Sequence, residues 1–204
     1  MKNSKLNYLK NLNKDQEIAC INLDGPCLIV AGAGSGKTKV LTTRVAHIIN
    51  QKKAWPNQIL CVTFTNKAAR EMQNRVSVHL NKKTSSVPWL GTFHSVSAKI
   101  LRRHAEAVKL NSKFTIIDHD DQLRLIKNIC KAENIDVKKV APQFILSFIN
   151  LWKNAGLLPN NVKIKKTIPL ENAILKIYKI YQERLQILNS CDFGDLILHC
   201  VKIF

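Results

Sequence analysis

Cys27-Leu28-Ile29-Val30-Ala31-Gly32-Ala33-Gly34-Ser35-Gly36-Lys37-Thr38 is the stretch whose reading decides the fold. The apolar run Cys27 to Val30 reads as a strand, and a glycine-rich loop follows it. Gly36-Lys37-Thr38 then opens a segment whose apolar residues Val40, Leu41, Val45, Ile48 and Ile49 recur at helical spacing. Strand, loop and helix in that order are the setting a phosphate-binding P-loop requires. Glycines let the backbone curl so that several N–H groups face one anion, and a helix N-terminus adds unpaired donors and a positive dipole end. In such a loop Lys37 faces the β- and γ-phosphates and the Thr38 hydroxyl holds Mg²⁺. Ala31 stands where the generic pattern has glycine.

Outward from this loop, the chain alternates strands and helices. Asn13-Lys14-Asp15-Gln16 opens a helix that ends before Gly25-Pro26, with Asn13 as N-cap and Gln16 at the capping-box position. The helix after the loop runs to about Gln51, and Pro56 breaks the chain. Ile59 to Val62 is a short apolar strand without alternation, as expected for a sheet covered on both faces. A helix from Asn66 to about Leu80, a polar linker to Pro88, a third strand Trp89 to Thr92 and a helix from Ser95 follow. This rhythm predicts a parallel sheet with right-handed crossovers and with the loops after its strands along one edge.

After Lys109 the pattern becomes helical, apart from a brief extended piece at Phe114 to Ile117. Helices are predicted over 119–132 (capped by Asp118), 142–155, 170–188 and from Asp192 to the last residue. Phe144, Ile145, Phe148, Leu151 and Trp152 form the apolar face of the second of these. Lys163, Lys165 and Lys166 read first as a solvated run, and Asp192 and Asp195 as residues of a helix start rather than as a catalytic pair.

Composition narrows the class of partner. Across 204 residues, 32 Lys and Arg against 14 Asp and Glu give a net charge of +18, which favours an anionic partner, most simply nucleic acid. Part of the excess reflects a chain generally rich in Lys, Asn and Ile. None of the six cysteines forms a CxxC pair, so buried free thiols in a reducing compartment are expected. The histidines show no metal-binding spacing. No apolar run approaches the roughly 18 residues of a spanning helix, and a cytoplasmic protein is expected.

Five segments together make a more specific pattern: Leu12 to Gln16, the P-loop with its leading Ala31, Val62-Thr63-Phe64-Thr65-Asn66-Lys67-Ala68-Ala69-Arg70-Glu71-Met72, Gly91-Thr92-Phe93-His94-Ser95, and Asp192-Phe193-Gly194-Asp195-Leu196. In order and spacing the chain resembles the N-terminal part of superfamily 1A helicases of the UvrD/Rep/PcrA family, in which alanine at the position of Ala31 is usual. The resemblance implies an α/β fold, a RecA-like P-loop NTPase sheet with an all-helical inserted subdomain. It divides the chain into motor domain 1A (1–110), helical subdomain 1B (111–190) and a return helix (191–204).

The resemblance also implies site roles. ATP with Mg²⁺ is held by Gln16, which reads adenine, and by Ala31, Gly32, Ala33, Gly34, Ser35, Gly36, Lys37, Thr38 and Lys39. Phe64, Thr65, Asn66 and Lys67 contact single-stranded DNA, Phe64 by stacking on a base, and Thr92, Phe93 and His94 form a second contact. Taken alone, Gln16 fits a capping box, Phe64 and His94 fit core positions and Asn66 fits an N-cap. The segment around Phe144 to Asn154 resembles the one that approaches duplex DNA, so junctions of single and double strand are expected partners, along with repair or replication proteins. The implied activity is ATP-dependent 3′ to 5′ unwinding, with the protein on the nucleoid when bound to DNA. The family's Asp-Glu motif and second motor domain lie beyond the position of Phe204, so a sheet lacking a strand, no activity of this chain alone, and marginal stability with aggregation are expected. The rival readings are a non-catalytic module binding ATP or single-stranded DNA and, more remotely, a small P-loop phosphotransferase.

Overall fold

Helix starts along the chain are set by short polar side chains that take up otherwise orphaned backbone N–H groups. In a computed structural model describing residues 7–80, 87–135, 140–164 and 169–204, α1 spans Lys14–Ile21 and begins with a complete capping box between Asn13 and Gln16. α2 spans Lys37–Asn50. α3, Asn66–His79, is capped by Thr65, whose hydroxyl accepts from the Ala68 N–H at 3.1 Å. Asn66 is therefore the first helical residue and not the cap. α5, His119–Ala132, is capped by Asp118, and α8, Phe193–Ile203, by Asp192. The caps expected at Asn13, Asp118 and Asp192 are all present.

The chain divides into two units, Met1–Val96 and Ser97–Phe204. In the first, β1 (Leu60–Thr63) and β2 (Trp89–Thr92) pair in parallel with Leu60 opposite Trp89 and Thr63 opposite Thr92. Val45 and Ala46 of α2 and Ala69, Met72 and Val76 of α3 pack with Cys61 and Leu90 into one core. Only one face of this sheet is covered within the unit: Cys61 is 4% exposed and its neighbour Leu60 is 61% exposed. The face that carries Leu60 is open at this end of the strand, contrary to the expectation of a sheet covered on both faces, because α2 and α3 build their core on the Cys61 side.

The expected strand Cys27–Val30 does not form. The segment has no ladder partner among the described residues, and Leu28 and Val30 lie open to solvent. A strand exists only through pairing, and the described sheet of this unit consists of β1 and β2 alone. Cys27 is exposed, whereas the other cysteines are buried free thiols, as expected of them.

The second unit contains the rest of α4 (Phe93–Arg103), then α5, α6 (Pro142–Asn154), α7 (Pro169–Ile187) and α8. β3 (Thr115–Ile116) pairs in parallel with β4 (Ser190–Cys191), a strand with no signal in the sequence. Ile126, Ile129, Ile145, Ile149, Ile174 and Tyr178 form the core between α5, α6 and α7. A second core joins Leu101, Val108 and Phe114 to Cys191, Leu196 and Cys200. Lys165 and Lys166 lie outside the described residues; Lys163 is exposed. No described helix is long and apolar enough to cross a membrane.

A buried ionic cluster ties α8 to α6 and α7. Lys153 Nζ lies 2.6 Å from Asp192 Oδ2 and 2.8 Å from Asp195 Oδ1, with all three side chains out of contact with solvent. Tyr181 donates to Asp192 at 2.9 Å and Gln182 to Asp195 at 3.0 Å. Burial alone raises the Asp195 carboxyl. The Lys153 charge, aided by His199 and by hydrogen bonds from Lys153 and the Asp192 backbone, outweighs this and holds it below the usual carboxylate range. A depressed folded-state value means that the stabilisation is present above about pH 4 and is lost on acidification.

Two predictions follow from these contrasts. Lys153→Ala strands two buried carboxylates and lowers unfolding free energy by about 3–5 kcal/mol, whereas Arg124→Ala, which removes an exposed pair with Asp121, changes it by about 0–1 kcal/mol; urea denaturation distinguishes them, and equal effects contradict the assignment. Replacing the exposed Leu28 and Val30 together by serine shifts stability within about 0.5 kcal/mol and raises the soluble fraction on sedimentation after incubation at high concentration; a large loss of stability would mean that both side chains are packed in solution.

Candidate nucleotide and strand-binding site

The loop between Val30 and Lys37 folds around its own lysine. Lys37 Nζ donates to the carbonyls of Ala31 at 2.7 Å and Gly32 at 2.6 Å. Ser35 Oγ donates to the Gly32 carbonyl at 2.7 Å. Gly36 is the N-cap of α2 at φ 86°, in the left-handed region that glycine enters without steric cost. A methyl group on Gly36 would meet Gln16 Nε2 at 3.1 Å.

Gln16 joins α1 to this loop. Its Oε1 accepts from the Asn13 N–H at 3.1 Å, completing the capping box, and its Nε2 donates to the Ser35 carbonyl at 3.0 Å. The capping-box reading of Gln16 is present, and the same side chain touches the glycine-rich loop. Lys39 also reaches backwards, donating to the Asn11 carbonyl. Behind the loop, Cys20 and Val40 pack together with Leu9, and Arg44 donates to the Ala19 carbonyl at 2.6 Å, so α1 and α2 hold the loop from both sides. Thr38 and Lys37 are exposed at the α2 start.

The second group of residues lies at the end of the parallel pair. Because Thr63 faces Thr92 across the ladder, the residues that follow them emerge together. Phe64 and Phe93 have ring centroids 5.5 Å apart with planes inclined at 45°. Phe64 is 88% exposed, which excludes a core role for it, and Phe93 is partly open. Thr65, Asn66 and Lys67 are exposed at the first turn of α3. His94 is likewise exposed, not a core histidine.

Thr92 differs from its neighbours: it is buried, and its hydroxyl accepts from the Ser95 N–H at 3.1 Å at the start of α4. α4 begins at Phe93, not Ser95, so Phe93 and His94 belong to a helix rather than to a loop. A side chain at Gly91 would meet Ser95 Oγ at 2.6 Å and Val96 Cγ2 at 3.2 Å, so glycine permits this abrupt turn from strand to helix. Among the described residues the pairing that would bring the P-loop segment to the same sheet edge is not present; the structure brings together two of the three expected loops.

A family model described as the UvrD/REP helicase N-terminal domain matches residues 12–204. The chain belongs to this family. It is 48% identical, over 97% of its length, to a probable DNA helicase II homolog of Rickettsia conorii, of which it covers 30%. It is 43% identical to a probable DNA helicase II homolog of Mycoplasma capricolum, covering 28% of that protein. Over 96% of the chain, the ATP-dependent DNA helicase PcrA of Staphylococcus epidermidis is 41% identical and is covered to 27%. The chain thus spans less than a third of the length of these relatives.

Within this UvrD/REP domain, sequence reasoning treated Phe64 and Phe93 separately and did not foresee that their rings would meet. The signal was available in principle, since each directly follows a predicted strand of one parallel sheet. It also missed Lys153 as the partner of Asp192 and Asp195. Lys153 continues the four-residue series Ile145, Ile149 along α6, which marks it as inward-facing, where a lysine requires a countercharge.

The loop geometry makes a sharp contrast between two glycines. Gly36→Ala is expected to lower unfolding free energy by about 1–2 kcal/mol through its left-handed backbone, while Gly32→Ala, which meets open space, stays within about 0.5 kcal/mol. Chemical denaturation of the two variants checks this, and a neutral Gly36→Ala would contradict the loop geometry.

Proposed function

We propose that this chain is the part of an ATP-dependent 3′ to 5′ DNA helicase that grips nucleotide and single-stranded DNA, within a RecA-like P-loop fold acting in repair or replication. The observation that carries the reading is the exposed Phe64–Phe93 pair at the end of a parallel ladder, flanked by Thr65, Asn66 and Lys67. Exposed aromatic rings beside helix-start donors suit a strand whose bases stack and whose phosphates meet N–H and ammonium groups. The chain's charge of +18 favours the same polyanion. Relatives named as DNA helicases give independent support.

ATP with Mg²⁺ fits the loop from Ala31 to Thr38. Lys37 already seats its ammonium among loop carbonyls, a position from which it can exchange those acceptors for phosphate oxygens. The exposed Thr38 hydroxyl is the group that would take Mg²⁺, and Gln16, touching Ser35, is the group that would read adenine. Bound Mg²⁺ would supply charge neutralisation at the phosphates. Of the second strand contact, we assign Phe93 and His94 to the DNA directly and Thr92 to holding the turn that presents them. The motor domain at 1–110, the helical subdomain at 111–190 and the return helix at 191–204 belong to the same proposal. The packing of Leu196 and Cys200 with Leu101 and Val108 supports that return.

Binding measurements test the reading. Lys37→Ala should weaken a nonhydrolysable ATP analogue about tenfold or more and leave the affinity for a labelled oligothymidylate nearly unchanged in fluorescence anisotropy. Equal loss of both would place Lys37 in the fold or on the DNA. Phe64→Ala should cost the oligonucleotide roughly 5- to 150-fold, the equivalent of about 1–3 kcal/mol per stacked base, with nucleotide binding retained. Affinity for the strand should fall steeply with salt; a flat response contradicts a phosphate-gripping surface.

A further inference from the structure

The last turn of α4 and the segment after it carry a concentration of positive charge that the nucleotide and strand sites do not use. From Lys99 to Lys113 the chain has five lysines and arginines and one acid, Glu106. Arg102, Arg103 and His104 are exposed, and with Glu106, Asn111 and Ser112 they line a recess of about 540 Å³. All of these residues belong to the second unit.

Basic residues in a last helical turn have a structural use of their own, since they offset the helix dipole and bond the orphan carbonyls. Arg102 does something further. Its guanidinium lies 4.6 Å from the centre of the buried Phe114 ring and donates to the Ser112 carbonyl at 2.9 Å. Stacking and hydrogen bond together hold the guanidinium at the wall of the recess. A guanidinium fixed in this way loses little further freedom on binding, and its other N–H groups form a fork that suits two oxygens of one anion. Arg103 adds a second cation, His104 at least one ring N–H in either protonation state, and Ser112 a hydroxyl that can donate.

This donor set narrows the ligand. A metal ion or an amine would meet two guanidinium groups, and an apolar molecule would strip them of water without offering an acceptor. A tetrahedral oxyanion can accept from all of them. The walls narrow it again. No Phe, Tyr or Trp lines the recess among the described residues, and the Phe114 ring is 1% exposed with Arg102 over it. Single strands draw much of their affinity from bases stacked on aromatic rings. A duplex keeps its bases stacked inside and presents its phosphates outward.

We propose that the recess at Arg102, Arg103 and His104 seats a backbone phosphate of duplex DNA, a contact blind to base identity. The proposal rests on the reading of this chain as the DNA-gripping part of a helicase. It adds a hold on paired DNA that differs in residues and in chemistry from the Phe64–Phe93 edge.

Fluorescence anisotropy of the full chain with two labelled blunt duplexes of unrelated sequence and with oligothymidylate, each across a range of salt concentrations, tests it. Arg103→Ala is expected to weaken both duplexes about tenfold and to reduce the slope of log affinity against log salt by about 1, with oligothymidylate affinity nearly unchanged. Arg102→Lys, which keeps the charge and loses the fork, should weaken the duplexes with the salt slope retained. Lys127→Ala removes another exposed charge of the second unit and should leave both kinds of DNA nearly unaffected; urea denaturation checks that each variant is folded. Phe64→Ala should show the opposite selectivity, so the two sites can fail separately. Strand affinity that depends on Phe64, beside duplex affinity indifferent to Arg103, overturns the recess and leaves the strand reading standing. Duplex affinity that depends on Arg103, beside strand affinity indifferent to Phe64, supports the recess and counts against the strand reading. Equal losses from Arg103→Ala and Lys127→Ala, equal losses of duplex and strand, or displacement of the duplex by polyglutamate as readily as by unlabelled duplex would overturn the proposal.

Discussion

The in-register parallel pairing of Leu60–Thr63 with Trp89–Thr92 is the constraint on which the strand-binding edge depends. Parallel strands send their following residues off the same edge, and a ladder that sets Thr63 opposite Thr92 delivers Phe64 and Phe93 within stacking distance. A one-residue slip would turn one of these rings toward the opposite face. Register is fixed from beneath by the core of Cys61, Leu90, Met72 and Val76. Burial on one face therefore determines what the chain can present at the end of the ladder, and Thr65, capping α3, and Thr92, bonded at the start of α4, fix how each helix leaves it.

The helical unit is organised by a different force. Lys153, Asp192 and Asp195 are charges withdrawn from water, and they are tolerable only because each finds ionic and hydrogen-bonding partners at close range. The cluster makes Asp192 and Asp195 do two things at once: their side chains cap the start of α8 and hold a lysine from α6. It also orients Gln182, whose amide nitrogen donates to Asp195.

Much of this was legible in the sequence where the governing physics is local. The caps at Asn13, Asp118 and Asp192 and the start of α2 at Lys37 follow from side chains bonding to nearby backbone, which spacing reveals. Where the outcome depended on distant partners the sequence was less explicit. Cys27 to Val30 has the composition of a strand, but composition cannot supply the neighbour that makes one. Ser190–Cys191 lies between two predicted helices and becomes a strand because Thr115–Ile116 lies beside it. At the candidate site, the glycine-rich loop and the residues after each strand could be named individually. The contact of Gln16 with Ser35, the meeting of the two phenylalanine rings and the burial of Thr92 required the fold.

Photocrosslinking tests the central claim most directly. An oligonucleotide carrying 5-iododeoxyuridine, bound at low salt and irradiated, reacts with aromatic side chains stacked on its bases, and mass mapping locates the adducts. The geometry of the parallel edge predicts adducts at Phe64 and Phe93. Efficient crosslinking that leaves both rings unmodified would contradict the account.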